Sequence, residues 1–92
     1  MEVYVACFDI SDDRLRALVG NLLLRYGDRV QKSVFEIAVK DRFQLDDIRN
    51  QLTGMVDDDD SIRFYRLCAD CRSISTTLTG DPVAQFPAVV II

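Results

Sequence analysis

Hydrophobic and polar positions fall into blocks along the chain, and the first block predicts a strand followed by a helix. Residues 3–8 form a β-branched and aromatic run with little polar interruption, typical of a strand buried on both faces in the middle of a sheet. The run ends at Asp9, and Ser11 follows as a candidate N-cap. Gly27 marks the predicted end of the helix. Its apolar stripe consists of Leu15, Leu18, Val19, Leu22, Leu23 and Tyr26.

The next blocks predict two strands, a second helix and a further strand. Residues 29–39 have a strand-like composition and are too long for one average strand, but no turn motif locates a hairpin within them. A helix is predicted from Gln44 or Leu45 to about Val56, and residues 61–67 form the next strand pattern. The order β, α, β, β, α, β predicts an α+β, ferredoxin-like fold.

The C-terminal block is a short apolar run that needs a partner. Gly80, Asp81 and Pro82 mark a turn, and residues 88–92 close the sequence as an apolar strand. Such a strand has to pair with a sheet edge of its own chain or of a second copy. We therefore expect a homodimer in which residues 1–92 form one ferredoxin-like domain and residues 80–92 a C-terminal strand extension.

The composition excludes several kinds of chemistry. The sequence has no histidine, which removes Ser-His and Cys-His nucleophilic catalysis and any histidine-ligated zinc site. Its three cysteines are an odd number, so reduced thiols are expected rather than a disulfide framework. No signal peptide or membrane-spanning stretch is apparent, and we expect a cytoplasmic protein that makes no membrane contact.

The distribution of charge is more informative than its sum. The net charge is −4, but residues 14–40 carry six basic side chains against two acidic ones, a local excess of +4. Nine of the eleven basic residues are arginine, whose planar fork suits phosphate groups. This pattern favours nucleic-acid binding, and a solvated mixed surface is the alternative.

Asp9 is the candidate for metal chemistry. It stands where a buried strand gives way to a helix cap, so rigid neighbours should hold its carboxylate. A turn or capping role is the alternative. One carboxylate provides too few ligands for a magnesium site. A two-fold axis that brings two copies of Asp9 together would supply a second ligand.

Three segments at their expected separation carry a resemblance to a known family. They are residues 8–16 (Phe-Asp-Ile-Ser-Asp-Asp-Arg-Leu-Arg), residues 29–36 (Arg-Val-Gln-Lys-Ser-Val-Phe-Glu) and residues 63–68 (Arg-Phe-Tyr-Arg-Leu-Cys). Inside a βαββαβ order they resemble the second core family of CRISPR-associated proteins, small dimers that act with the integrase subunit when new spacers are added. The resemblance covers nearly the whole chain.

The resemblance implies a role for Asp9. Some members of the family are metal-dependent endonucleases of RNA or of double-stranded DNA, and by similarity Asp9 would be the catalytic residue and Mg²⁺ ligand, paired with its symmetry mate. Phe8 stands where the family usually has tyrosine, which removes a hydroxyl near the metal.

The resemblance also implies a nucleic-acid-binding face formed by Arg16, Arg29, Ser33 and Phe35, and it places the hairpin near residues 31–33. Other interpretations are open for these side chains. Arg16 could be an exposed helix residue, Arg29 a strand-edge charge and Phe35 part of the core.

Three functions follow as hypotheses. The first is an Mg²⁺-dependent endonuclease-like homodimer that acts with the integrase subunit in antiviral spacer acquisition. The second is a non-catalytic DNA-binding adaptor of the same complex. The third is an unrelated ferredoxin-like regulatory dimer, because a fold alone carries no function.

Two further motifs have plainer interpretations. Cys68 and Cys71 form a Cys-x-x-Cys without a second pair, so one chain cannot complete a zinc site. A redox pair would be expected at a strand-to-helix start, whereas this pair precedes a polar tail, so incidental cysteines are predicted. Residues 57–60 are four consecutive aspartates without EF-hand spacing, and a solvated loop is predicted there.

Overall fold

The computed structural model describes residues 1–86 of the chain, which fold into four strands and three helices. The predicted order β, α, β, β, α, β is confirmed, and the fold is α+β and ferredoxin-like. The elements are β1 (Glu2–Asp9), α1 (Asp13–Leu24), β2 (Gly27–Gln31), β3 (Val34–Val39), α2 (Arg42–Thr53), β4 (Ser61–Leu67) and α3 (Ala69–Ser73).

The strands form one antiparallel sheet in the order β2-β3-β1-β4, so β1 is central, as its apolar composition predicts. Alternate side chains of a strand point to opposite faces. Tyr4, Ala6 and Phe8 therefore share the face that α1 and α2 cover, where they join the main core. Val3 lies on the opposite face, in a smaller cluster with Ala38 and Ala84.

Aspartates cap the two long helices. The Asp12 carboxylate accepts a hydrogen bond from the Leu15 backbone at 2.8 Å, so Asp12 rather than the predicted Ser11 is the N-cap of α1. Asp41 caps α2 in the same way, accepting from the Gln44 backbone at 3.0 Å, and the Gln44 side chain accepts from the Lys40 backbone at 2.7 Å. This reciprocal arrangement starts α2 at Arg42, before the predicted Gln44 or Leu45.

Two other details of the helices differ from the prediction. Helix α1 ends at Leu24, and Gly27 is the first residue of β2. A Cβ atom on Gly27 would collide with the Glu36 carbonyl oxygen and lie 2.7 Å from the Ile37 Cα, so only glycine allows β2 this close to β3. Leu18, predicted in the apolar stripe, is 47% exposed because it lies at the margin of the packed face.

Helix α3 is absent from the sequence prediction. The sequence pattern predicts no element over residues 69–73, but they form a five-residue helix directly after β4. The prediction missed it because so short a helix has no apolar stripe and none of its residues is buried. The Cys-x-x-Cys motif therefore lies at a strand-to-helix start.

Part of the predicted C-terminal strand lies outside the described residues. Within residues 80–86 the backbone pairs only at Pro82, which forms an isolated bridge with Thr76. The apolar run at residues 88–92 falls beyond residue 86. Among the helices of the described chain, none has the length and apolar character needed to cross a membrane.

Candidate nucleic-acid interface and metal position

The connection between β1 and α1 is held by Arg16. Its Nη1 donates to the carbonyl oxygens of Ile10 at 2.7 Å and Ser11 at 3.0 Å, and its Nη2 forms an ion pair with Asp13. The guanidinium is thus engaged with the backbone that follows Asp9. Arg16 therefore positions this connection, and part of its guanidinium group remains exposed to solvent.

The hairpin between β2 and β3 reaches the same end of the sheet. Its turn consists of Lys32 and Ser33, within the segment that the resemblance implied. The Ser33 carbonyl accepts a hydrogen bond from the Phe8 backbone at 3.1 Å, which ties the turn to the end of β1. Ser33 thus acts here through its backbone.

Arg29 precedes an irregularity in the hairpin. The register of β2 on β3 shifts between Arg29 and Gln31. A bulge of this kind re-aims side chains. Arg29 is exposed, and its Nε donates to the Gln31 carbonyl at 3.4 Å, which leaves the other guanidinium donors available to a ligand.

A groove of about 300 Å³ lies between α1 and the hairpin. Its floor is made by Phe8 and Phe35, whose stacked rings have centroids 5.9 Å apart and planes inclined at 23°. Its polar rim consists of Arg16, Arg29, Lys32, Asp13 and Asn21, and its remaining lining of Ala17, Gly20 and Leu24. Three cations against one carboxylate, itself paired with Arg16, give the groove a positive rim.

Phe35 lies under the groove and not on its open surface. Its side chain is 2% exposed, so it cannot stack on a base without leaving the core. Phe35 is therefore a core residue in this structure, which was one of the two interpretations that the sequence left open.

Several residues that line the groove were not predicted from the sequence, among them Gly20, Asn21 and Lys32. A Cβ atom on Gly20 would lie 3.3 Å from the Phe35 Cζ, so the glycine lets α1 approach the aromatic floor. A glycine inside a helical pattern is costly and usually has a packing reason, which was a usable signal. Lys32 could have been found as the neighbour of Ser33 in the implied turn.

Asp9 lies at the same end of the sheet but on the other face. It is the last residue of β1, is exposed and pairs with Ser61 of β4. Since Phe8 faces the helices, alternation directs Asp9 away from the groove. Within residues 1–86, no three histidine, cysteine, aspartate or glutamate side chains are grouped so that they could hold a metal ion. One chain therefore offers Asp9 as half of a site at most.

The aspartates of residues 57–60 form a turn of their own. The Asp57 backbone donates to the Asp60 carboxylate at 3.0 Å and to no other carboxylate, while Asp58 and Asp59 are exposed. This agrees with the predicted solvated loop and offers no converging set of ligands.

A larger hollow of about 590 Å³ lies between α2 and β4. Its floor includes Leu52 and Phe64, and Arg42, Asp46 and Arg49 lie on its rim. We place the candidate site at the smaller groove, because its rim carries three cations against one carboxylate and residues of two family-like segments, 8–16 and 29–36, line it together.

Residues 1–74 match the family model described as CRISPR associated protein Cas2. A relative from Synechocystis sp., named CRISPR-associated endoribonuclease Cas2 3, is 33% identical over 93 residues and is covered completely, as is this chain. Another from Chloroflexus aurantiacus, also named CRISPR-associated endoribonuclease Cas2 3, is 48% identical over 64 residues, or 68% of each chain.

Solved structures agree with these relatives. A chain from the structure titled "Partial Cas6-RT-Cas1--Cas2 complex" superposes with a TM-score of 0.82 at 35% identity and 96% coverage of both chains. Streptococcus pyogenes Cas2, crystallised at pH 6.5, gives a TM-score of 0.72 at 33% identity, over 83% of this chain and 98% of the other.

Proposed function

This chain belongs to the CRISPR-associated Cas2 family, and on that premise we propose that it is an Mg²⁺-dependent, endonuclease-like homodimer of CRISPR spacer acquisition. The observation that carries the proposal is the gathering of Arg16, Arg29 and Lys32 on one groove at the end of the strand that bears Asp9. Family membership excludes the third hypothesis, an unrelated ferredoxin-like regulatory dimer.

The groove would bind the sugar-phosphate backbone of a DNA duplex or of RNA. Arg29 and Lys32 are exposed donors on the hairpin, and arginine can hold a phosphate through two parallel hydrogen bonds. Contacts of this kind position a nucleic acid without reading its sequence. With Phe35 buried, binding would depend on charge rather than on base stacking.

Dimerisation would use the sheet face opposite the helices. Val5, Cys7 and Val34 are only partly buried there, and Tyr65 is 49% exposed. A second copy packed on this apolar face would bury it and would complete the site, because Asp9 lies on the same face. Among residues 1–86, Asp9 could hold a metal ion only if two copies of the chain shared it.

The metal would be held by the two Asp9 carboxylates together with water or phosphate oxygens. When bound, Mg²⁺ would supply positive charge to stabilise a phosphodiester group during hydrolysis. The residues of the chain would hold this end of the sheet in place: Arg16 fixes the connection after Asp9, and the Ser33 carbonyl fixes the hairpin to β1. Phe8 adds no hydroxyl beside the site.

One observation favours the adaptor as the second candidate. A single exposed carboxylate is a minimal catalytic set, because within residues 1–86 no three histidine, cysteine, aspartate or glutamate side chains are grouped so that they could hold a metal ion. The structural relative with the TM-score of 0.82 is part of a complex whose title names Cas1. We propose that this chain likewise assembles, in the cytoplasm, with a Cas1-type integrase subunit, and the adaptor role would need only the dimer and its groove.

A cleavage assay separates the two candidates. Purified protein is incubated with labelled RNA or duplex DNA in Mg²⁺ or in EDTA, beside the variants Asp9→Asn and Asp58→Asn. The endonuclease proposal expects cleavage that needs Mg²⁺, is lost in Asp9→Asn and is retained in Asp58→Asn, whose carboxylate lies in the solvated loop. Binding without cleavage under every metal condition would leave the adaptor, and full cleavage by Asp9→Asn would remove Asp9 from catalysis.

A further inference from the structure

The cysteines at the start of α3 form a site that the groove and Asp9 do not use. Cys68 is the N-cap residue of α3, with an extended backbone at φ −67° and ψ 166°, and its Sγ accepts a hydrogen bond from the Cys71 backbone at 3.5 Å. The Cys68 carbonyl accepts from the Arg72 backbone at 2.9 Å, which fixes the turn between them. Both cysteines are exposed.

We propose that Cys68 and Cys71 form a reversible dithiol–disulfide pair that reacts with small-molecule disulfides of the glutathione type, with Cys68 as the attacking and Cys71 as the resolving thiol. The proposal concerns a chemistry of the chain that is independent of nucleic-acid binding. It rests on two thiols joined through one turn and open to solvent.

The reaction proceeds in two exchanges. The Cys68 thiolate attacks one sulfur of the small disulfide, which forms a mixed disulfide and releases one small thiol. The Cys71 thiolate then attacks the Cys68 sulfur, which forms the Cys68–Cys71 bond and releases the second small thiol. Two protein thiols are oxidised, one small disulfide is reduced to two thiols, and the two protons pass to the released thiolates.

The surroundings of the two sulfurs assign the roles. The pKa of the Cys68 thiol is lowered, first by the hydrogen bond from the Cys71 backbone and then by the one from the Cys71 side chain. The pKa of the Cys71 thiol is raised, first by its side-chain hydrogen bond to Cys68 and then by the Cys68 charge. Because the thiolate is the nucleophile, Cys68 attacks first.

The position of the Cys68 sulfur also bears on ring closure. The Cys68 Sγ lies 3.5 Å from the Cys71 backbone nitrogen, so this sulfur is already directed toward Cys71. A disulfide requires Cβ atoms about 3.5–4.5 Å apart, whereas residues three apart on a helix have Cβ atoms about 5–6 Å apart, so closing the ring requires a local adjustment of this exposed turn. Cys7 is half-buried on β1, away from this turn, and serves as an internal control.

The test follows free thiols and intact mass during incubation with oxidised glutathione. The wild-type chain should lose two of its three free thiols, gain no lasting glutathione adduct and become lighter by two hydrogens. Reduced glutathione in excess should restore all three thiols. The Cys7→Ser control should lose both of its remaining thiols at the wild-type rate.

Single variants test the roles. Cys71→Ser should stop at one stable glutathione adduct on Cys68, whereas Cys68→Ser should react about tenfold more slowly, since Cys71 has no backbone hydrogen bond like the one that lowers the pKa of Cys68. Circular dichroism confirms that each variant is folded. The proposal is overturned by stable adducts on the wild-type chain, by a disulfide that links two chains on a non-reducing gel, or by Cys68→Ser reacting as fast as Cys71→Ser.

Discussion

The Glu36 carboxylate accepts a hydrogen bond from the Ala84 backbone at 3.0 Å, across 48 residues of sequence. Ala84 is buried, has a positive φ of 53°, and its carbonyl accepts from Arg72 Nη1 at 3.4 Å. The Ala84 backbone is therefore held by two hydrogen bonds, one to Glu36 of β3 and one to Arg72 of α3. This contact lays the segment after α3 over Val3 and Ala38.

Glu36→Ala should loosen that segment. We expect a loss of about 1–3 kcal/mol in the free energy of unfolding, the range for removing a partner of a charged hydrogen bond, and faster hydrogen exchange at the Ala84 amide. Glu36→Gln is the matched control, because its amide oxygen can still accept, and it should lie between wild type and Glu36→Ala. A Glu36→Ala protein with wild-type stability and exchange would show that the contact is not needed.

Gly27→Ala should displace β2 from β3. Its Cβ would collide with the Glu36 carbonyl oxygen, and backbone cannot rotate away as a side chain can. We expect a destabilisation of about 1–3 kcal/mol, the usual cost of overpacking, together with weaker nucleic-acid binding, because Arg29 and Lys32 lie on this hairpin.

Gly54→Ala serves as the control for Gly27→Ala in chemical denaturation. Gly54 has φ −75°, and the nearest contact of an added Cβ would be 3.6 Å, so its stability should change by no more than about 0.5 kcal/mol. Equal effects of the two substitutions would contradict the close approach at Gly27.

Phe35→Ala should cost about 3–5 kcal/mol of stability, since a fully buried ring is replaced by a cavity. Phe35→Leu retains more of the side-chain volume but has no aromatic ring, so it distinguishes a role in core packing from a role in stacking on a base. If Phe35 only forms the floor of the groove, folded Phe35→Leu protein should bind nucleic acid with nearly wild-type affinity. A loss of affinity larger than that of Arg29→Ala would instead make the ring a direct contact.

The salt dependence of binding should identify the side chains that bind phosphate. Arg29→Ala and Lys32→Ala should each flatten the slope of log K against log salt by about 1 unit for every phosphate that the missing side chain neutralised. Arg49→Ala is the control, because Arg49 is an exposed arginine on α2, outside the groove. Fluorescence anisotropy across a salt series measures all three variants beside wild type. A slope that changes only in Arg49→Ala would move the binding face to α2.

Local pattern was sufficient where each element has its own periodicity. The central position of β1 follows from its apolar run, and α1 and α2 follow from their apolar stripes. The hairpin turn at Lys32 and Ser33 has no glycine or Asn-Gly signal, so only the resemblance placed it.

Contacts between distant segments could not be predicted in this way. The hydrogen bond between Glu36 and the Ala84 backbone joins two residues that no local sequence pattern connects. The burial of Phe35 likewise depends on Gly20, which lies on a different element, α1. The same holds for the metal position. Asp9 could be found as a strand-end carboxylate, but its location on the face opposite the groove follows from the sheet.

The central claim is that two chains share one metal ion through their Asp9 side chains, and the most direct test is the number of ions bound per dimer. Mn²⁺, a spectroscopic substitute for Mg²⁺, is titrated into wild type, Asp9→Asn and Asp58→Asn while light scattering reports the mass of the assembly. The account predicts one ion per two chains in wild type and Asp58→Asn, and none in Asp9→Asn, which should remain a dimer. One ion per chain, or an unchanged number in Asp9→Asn, would contradict it.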